Sequence, residues 1–598
     1  MSKKLFAIAS LLIVASMILG ACAPAATPAA PQVVTKEVVV TKEVEKVVTQ
    51  EVVVTKEVEV APKQAPVLRI NLATYPDIID PQKSSFVNEI AHLKLIYQGL
   101  TTFNSKLETV PGAAEKWEYN ADATELTFTL RPGLKYSDGT PLNAKRFEYA
   151  LQRNIDPATA GEYAAITDEI KGAPEWRGAD TAAADYDPEA FKAELGVQAL
   201  DASGAPCPDY EADCPTLKLT FSKPAPYFHT IMGIWVAYPA KQELIEEGGE
   251  NWWNSSKFQI GNGPYVLQNL EPFVRGYFTP SSTFWSDKGQ VDIEFRYITD
   301  SAVSFQAYKN NEFDIIPLAA EDVATVESDP ALKAENLRYP GACTFAVMFH
   351  QLKEPFTDVK VREAFAYGFD REGWVKDVLS GIGSPTLTWI PKGYPGYQDG
   401  ETRFGFDPEK AKAALAESSY GGPDKLNEMG LELTFSDTPR NRTRNEWLAA
   451  KYKEVLGVDF KLNPVEPTTY TALTKDVNTA PLTFILGWCA DYPDPQNWLS
   501  VYWKTGAFGE RIGFSNAEFD ALVNQADVEL DPAKRADLYQ QAQDLLVGLP
   551  AVAMAWNSVN NWLVKPWVKG VETTPQDSDW SGSINPEGIT IDESLMPK

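Results

Sequence analysis

A chain of 598 residues with 44% hydrophobic and 11% aromatic side chains is too long for one ordinary domain and can build a large core. Its formal net charge of −28 argues against a nucleic acid or an anionic surface as partner.

Lys3 and Lys4 precede an apolar run, Leu5 to Gly20, of about 16 residues, short of the ~20 that a spanning helix needs. Residues 1–21 therefore read as a signal peptide. The run ends in "LGAC", Leu19 to Cys22, which looks like a bacterial lipobox. Cleavage before Cys22 would make that cysteine an acylated N-terminus, and a two- or three-chain anchor holds a protein at a membrane surface. Ordinary secretion, with Cys22 a stray thiol, is the alternative.

Residues 22–64 read as a tether. "VVTKEVVVTKEVEK", Val33 to Lys46, is followed by "VVTQEVVVTKEVEV", Val47 to Val60, a repeat without any aromatic residue for a core. Two heptads per repeat would also allow a short coiled coil, although Val and Thr are mediocre helix formers.

Further along, strands are expected at 67–73, 125–130 and 431–435. Amphipathic helices are expected at 143–155, 358–379, 407–418 and 531–549, each opening near an Asn or Asp cap or a Pro. The turn-rich "RPGLKYSDGTPLN" (131–143) should be a connector. A mixed α/β architecture follows.

Of the 5 cysteines, removing Cys22 leaves Cys207, Cys214, Cys343 and Cys489, and an even number outside the cytoplasm suggests two disulfides. Residues 197–201 and 217–222 read as the arms of a hairpin whose long tip holds Cys207 and Cys214. Of the three possible pairings, this favours Cys207 with Cys214 and leaves Cys343 for Cys489. Asp209, Glu211 and Asp213 alternate in that tip, but the glycine turn and distal glutamate of a calcium loop are missing.

Signs of catalysis are scarce. His92, His229 and His350 stand far apart and read as packing or surface residues, and no nucleophile elbow, P-loop or dinucleotide fingerprint occurs. Carboxylates are plentiful, but nothing singles out a glycosidase-like pair. Solute binding outranks chemistry, and no catalytic residue, cofactor or metal is expected.

Several segments then resemble, in order, the dipeptide/oligopeptide-binding family of ABC-importer solute-binding proteins (bacterial extracellular solute-binding protein family 5). They are "IIDPQKS" (78–84), 113–153, "GNGPYVL" (261–267), 354–372, "GWCADYPDP" (487–495) and "LVKPWVKG" (563–570). The resemblance covers about residue 67 to the C-terminus. It implies a two-lobed periplasmic-binding-protein-like clamp closing on its ligand, with an extra subdomain in the first lobe. Lobe I would comprise 65–102, 238–342 and 558–598, the extra subdomain 103–237 and lobe II 343–557. The resemblance also implies the Cys343–Cys489 bridge.

In the family the aspartate of "GWCADY" meets the ligand's α-ammonium, a role that falls on Asp491. Main-chain groups of Gly487, Trp488 and Cys489 would pair with a peptide backbone as an added strand. Val87 and Tyr163 match further contacting positions, and Trp488 and Trp556 are candidates for side-chain pockets. The implied partners are a peptide ligand and the membrane permease subunits of an ABC importer, with the receptor a monomer, held to the membrane through its lipid alone.

The chain departs from the family where basic residues meet the ligand's carboxylate. Ile485 and Leu379 stand at two such positions, and Ser85 replaces an acidic residue. The far end of the ligand is then longer, uncharged, or held by another residue such as Arg442 or Arg444. Few histidines speak against metal chelates, whereas 16 tryptophans leave an oligosaccharide ligand, or a glycoside-active enzyme, as alternatives.

Overall fold

The computed structural model describes residues 65–576 and 586–597, together with two dipeptide strands, Val33–Val34 and Val58–Glu59, that pair antiparallel. The signal segment, Cys22 and the rest of the 22–64 tether lie outside the described residues. Residues 1–65 form one unit and 66–598 another, which carries the folded architecture. Among the described residues no helix is long and apolar enough to cross a membrane.

An 11-stranded mixed sheet is the backbone of the larger unit. On one side lie Tyr265–Glu271, Arg275–Pro280, Asp292–Arg296, Val67–Asn71 and Ile315–Pro317; on the other lie Thr483–Cys489, Glu432–Ser436 and Lys461–Val465. Two long strands, Asn336–Phe349 and Val552–Val564, join the halves, and the short Ser384–Pro385 pairs with the second of them. Asn336 to Pro340 pair with Leu563 to Val559, in the first lobe. Past a register break, Thr344 to Met348 pair with Asn557 to Val552 and with Trp488 to Phe484, in the second.

The break is a bulge at Gly341–Cys343, where the backbone presses on the partner strand. A Cβ on Gly341 would lie 2.2 Å from Ser558 Oγ, so only glycine fits without a shift. The Cys343 N–H donates to the same Ser558 Oγ at 3.0 Å.

Alternation decides what each half buries. In the second lobe Val347 and Phe349 face a core with Phe365 and Leu433, while Ala346, Met348 and Phe484 face another with Trp498 and Leu546. The extra subdomain is a 4-stranded antiparallel sheet: Ala114–Tyr119, Glu125–Leu130, Thr216–Thr220, Val197–Leu200. Leu126, Phe128 and Leu130 point inward against helix Ala144–Ile155 and merge with the core around Leu68 and Ile70, so the subdomain is fused to the first lobe.

The expected helix starts rest on side-chain caps. Asn143, Asp407 and Asp531 each accept backbone N–H groups at the heads of Ala144–Ile155, Pro408–Glu417 and Pro532–Gly548. The single helix expected over 358–379 breaks instead. Val359–Gly368 ends, Phe369 turns extended (φ −85°, ψ 111°), and Asp370 Oδ1 accepts the Gly373 N–H at 2.8 Å to start a new turn. The break lets Arg371 bury its guanidinium and donate to the carbonyls of Thr386, Met554, Ala366 and Phe369.

Both disulfides are present, Cys207–Cys214 in the hairpin tip and Cys343–Cys489 directly across the strand pair at the bulge. Asp209 Oδ1 caps the N–H groups of Glu211 and Ala212 in that tip. The second bridge closes a sequence separation of 146, for which chain entropy gives an upper figure of about 5 kcal/mol. Cys343→Ser with Cys489→Ser should lower stability by up to that amount, read as the shift of the urea midpoint at constant slope; a shift below ~1 kcal/mol would show that the bridge constrains little.

All three histidines pack. His92 contacts Asn88 O at 2.7 Å and Tyr297 OH at 2.8 Å, His229 stacks on Trp117, and His350 Nε2 contacts Val477 O at 2.8 Å. Burial pushes the first two down to about 4.

Candidate functional site

The segment after strand Thr483–Cys489 is folded by its own polar residues. Asp494 caps the short helix Pro495–Trp498, accepting the Gln496 N–H at 2.9 Å, and is clamped by Arg535 through hydrogen bonds of 2.8 and 2.9 Å. The helix thereby delivers the fully buried Asn497 to Asp491. Asn497 Oδ1 accepts the Asp491 N–H at 3.1 Å and Trp488 Nε1–H at 3.2 Å, and its amide donates to Asp491 Oδ2 at 2.9 Å. From the extra subdomain, the Tyr163 hydroxyl donates to Asp491 Oδ1 at 3.1 Å. From near the C-terminus, Gln576 Nε2 donates to the carbonyls of Ala490 and Asp491 at 2.8 and 2.9 Å.

Asp491 is thus a buried carboxylate with two neutral hydrogen-bond donors and no cationic partner among the described residues. Burial pushes its carboxyl up to about 7, opposed only by the bonds from Asn497 and Tyr163. Such a group lacks one thing, a positive charge.

The carboxylate borders a cavity of about 400 Å³ between the lobes. The cavity gathers six of the seven expected ligand contacts: Val87, Tyr163, Gly487, Trp488, Cys489 and Asp491. Trp556 is not among its walls; it is buried, stacked on Phe345 at 4.7 Å. Ser85 is on the wall, whereas Leu379 and Ile485 pack in the second-lobe core. Phe86, Phe103, Trp235, Tyr238 and Phe284 give the first-lobe wall an aromatic lining that the sequence reading missed. A neighbouring gap of about 820 Å³ between the subdomain and the second lobe shares Tyr163 and Trp488 with it. Gly487 is needed in the strand pairing, since a Cβ there would meet Thr344 O at 2.6 Å and the Phe345 ring at 2.5 Å.

Asn497 and Gln576 were also missed. Asn497 had a local signal, the Asp-Pro cap of "DPQNW" that turns the chain back on Asp491. Gln576 had none, because its partners lie 86 and 85 residues away.

Two lobes on a shared pair of strands, with an aromatic cavity and an uncompensated acid between them, define a clamp-type binding protein. The chain belongs to the bacterial extracellular solute-binding proteins, family 5: the family model "Bacterial extracellular solute-binding proteins, family 5 Middle" matches residues 108–510. The family is one of binding proteins, not enzymes.

The chain is 28% identical over 528 residues to the periplasmic murein peptide-binding protein MppA of Escherichia coli K12, covering 85% of this chain and 91% of that protein. It is 29% identical over 513 residues to the periplasmic oligopeptide-binding protein OppA of the same organism, covering 82% and 87%. Among solved structures, Haemophilus influenzae OppA in complex with RPPGFSPFR aligns with a TM-score of 0.71 at 25% identity, over 88% of this chain and 99% of that one.

Proposed function

We propose that this protein captures oligopeptides between its two lobes and delivers them to the permease subunits of an ABC importer. The observation that carries the reading is Asp491: a buried carboxylate, held by Asn497 and Tyr163, that lacks a counter-charge. A peptide α-ammonium supplies that charge, and shielding from water strengthens the pair. The relatives named for oligopeptide and murein peptide binding support the ligand class. Gly487, Trp488 and Cys489 offer main chain for an added strand, and the aromatic wall accommodates side chains without reading their identity.

In this reading residues 1–21 direct export, Cys22 carries the lipid, 22–64 tether a monomer to the cell membrane, and the lobes are cut at 65–102, 103–237, 238–342, 343–557 and 558–598. The bulge at Gly341–Cys343 against Ser558 is the hinge. An oligosaccharide receptor or glycoside-active enzyme is disfavoured because the family is one of binding proteins and the relatives MppA and OppA are named for peptides.

Calorimetry with a pool of tri- to pentapeptides and the same pool N-acetylated tests the proposal. The free pool should bind and the acetylated pool should lose about 100-fold or more in affinity. Equal binding of both would remove Asp491 from its role, and no binding of either would remove peptides.

A further inference from the structure

Tyr227, which stands before the short helix Phe228–Ile231 on the subdomain side, is buried where the subdomain meets the second lobe. Two side chains cross that boundary in opposite directions: Leu107 packs into the second-lobe core, and Tyr492, the residue after Asp491, packs into the first-lobe core. The Tyr227 hydroxyl donates to Glu169 Oε1 at 2.8 Å within the subdomain and accepts Gln496 Nε2 at 3.2 Å from the second lobe. Its ring lies 5.2 Å from the Arg535 guanidinium, which the Tyr539 ring faces at 4.8 Å. Arg535 Nε is buried without a hydrogen-bond partner among the described residues, so Asp494, the Tyr539 hydroxyl and these two rings fix the guanidinium.

Both second-lobe partners of Tyr227 belong to the brace of Asp491. Arg535 clamps Asp494, Asp494 caps the helix Pro495–Trp498 by accepting the Gln496 N–H, and that helix presents Asn497 to Asp491. Gln496 is held in turn by the Tyr492 hydroxyl, which donates to its Oε1. One aromatic side chain of the opposite lobe thus touches the brace on both sides of Asp494, at the cation that clamps it and at the residue that it caps. Tyr163 reaches Asp491 directly, whereas Tyr227 does not line the cavity and reaches the acid only through these groups.

We infer that Tyr227 is a positioning residue for ligand capture: seated between Arg535 and Gln496 when the lobes close, it locks the Asp494–Asn497 brace and so sets Asp491 in place for the ligand's ammonium. The inference rests on the proposed peptide-binding function. A guanidinium beside a ring face shielded from water is attracted by the ring quadrupole, and a hydrogen bond across the boundary adds direction. Both contacts join the subdomain to the second lobe, so opening of the clamp breaks them and frees the brace. Asp491 is then held firmly only while the lobes are together, which ties a tight grip on the ammonium to the closed state.

The experiment uses a pentapeptide that binds the wild type and the same peptide N-acetylated, with rates from stopped-flow fluorescence and affinities from competition calorimetry. Tyr227→Leu removes both the ring and the hydroxyl. It should speed dissociation of the free-amine peptide about 10-fold and change association less than about 2-fold, because only contacts of the closed state are lost. It should also narrow the preference for the free amine over the acetylated peptide by about 10-fold. A residue that merely supports the fold would weaken both peptides alike, so an unchanged preference overturns the inference, as does an unchanged dissociation rate. Should Tyr227→Leu not fold, Tyr227→Phe replaces it: the ring stays beside Arg535 and the bond from Gln496 is lost. Dissociation should then be about 3-fold faster and the preference about 3-fold smaller, and wild-type values of both would overturn the inference. Failure of the peptide-binding proposal is distinct, since there no pentapeptide binds the wild type.

Discussion

Asp491→Asn should weaken binding of free-amine peptides about 100- to 1,000-fold while leaving the fold intact. The substitution keeps the side-chain shape beside Asn497 and Tyr163 but leaves the ligand's buried ammonium without its partner, a loss worth about 3–4 kcal/mol. The same carboxyl makes the wild type pH-dependent in two opposed ways. Burial pushes the Asp491 carboxyl up to about 7 in the folded protein, against about 3.9 in an unfolded chain. The folded state therefore holds the proton more tightly. Its contribution to stability is fully present below about pH 4 and is lost as pH rises towards 7, by about 4 kcal/mol in total.

In the proposed complex ligand binding runs the other way, because the ionised acid is the form that would meet the ammonium. Affinity should rise by up to about tenfold per pH unit between pH 5 and 7, with proton release on binding, and fall above about pH 8 as the peptide amine deprotonates. Calorimetry in two buffers of different ionisation enthalpy measures the released proton. Asp491→Asn should abolish the slope below pH 7 and be more stable than the wild type at pH 8. Persistence of that slope in the variant would place the titrating group elsewhere.

The second large effect is structural. Asp80→Ala should cost about 3–5 kcal/mol, because it strands the buried Arg153. Asp80 accepts two hydrogen bonds from Arg153, both 2.6 Å, one from Trp252 Nε1 at 2.9 Å and one from the Gln82 N–H at 3.1 Å. Gln82 extends the network to the carbonyls of Val236 and Tyr238. Arg153 comes from the helix of the extra subdomain and Asp80 from the first lobe, so the variant should also speed hydrogen exchange in Ala144–Ile155 beyond what global destabilisation explains. A urea-derived loss below ~1 kcal/mol, with unchanged exchange, would count against this anchor. The "IIDPQKS" segment that helped mark the family thus owes its residues to docking a subdomain.

Legibility in the sequence followed the range of the forces involved. Strands such as Glu125–Leu130 and caps such as Asn143 were readable because alternation and capping act over a few residues. The break at Phe369 was not, since Arg371 is held by carbonyls 15 and 183 residues away. Asp491 was singled out only through the resemblance of "GWCADY" to the family, and its lack of a cation among the described residues was not legible, because lack of a partner is a property of the assembled cavity. Trp556 was expected at a pocket, but Phe345 covers it through a strand pairing that no local pattern announces. Arg442 and Arg444 were equivalent in the string and became distinct only when Asp437 paired with one of them.

Gln576 gives the site a place in time. Its amide grips the backbone on either side of the Ala490–Asp491 peptide bond, and its side-chain oxygen accepts the Tyr394 hydroxyl at 3.1 Å. The cavity walls draw on residues from Ser85 to Glu587, far apart in the sequence. The second-lobe core takes its last residues at Ala555 and Trp556, so in chain order it is complete shortly before Gln576 supplies the brace behind Asp491. A chain cut short before Gln576 would keep most of its folded mass and lose the brace behind Asp491.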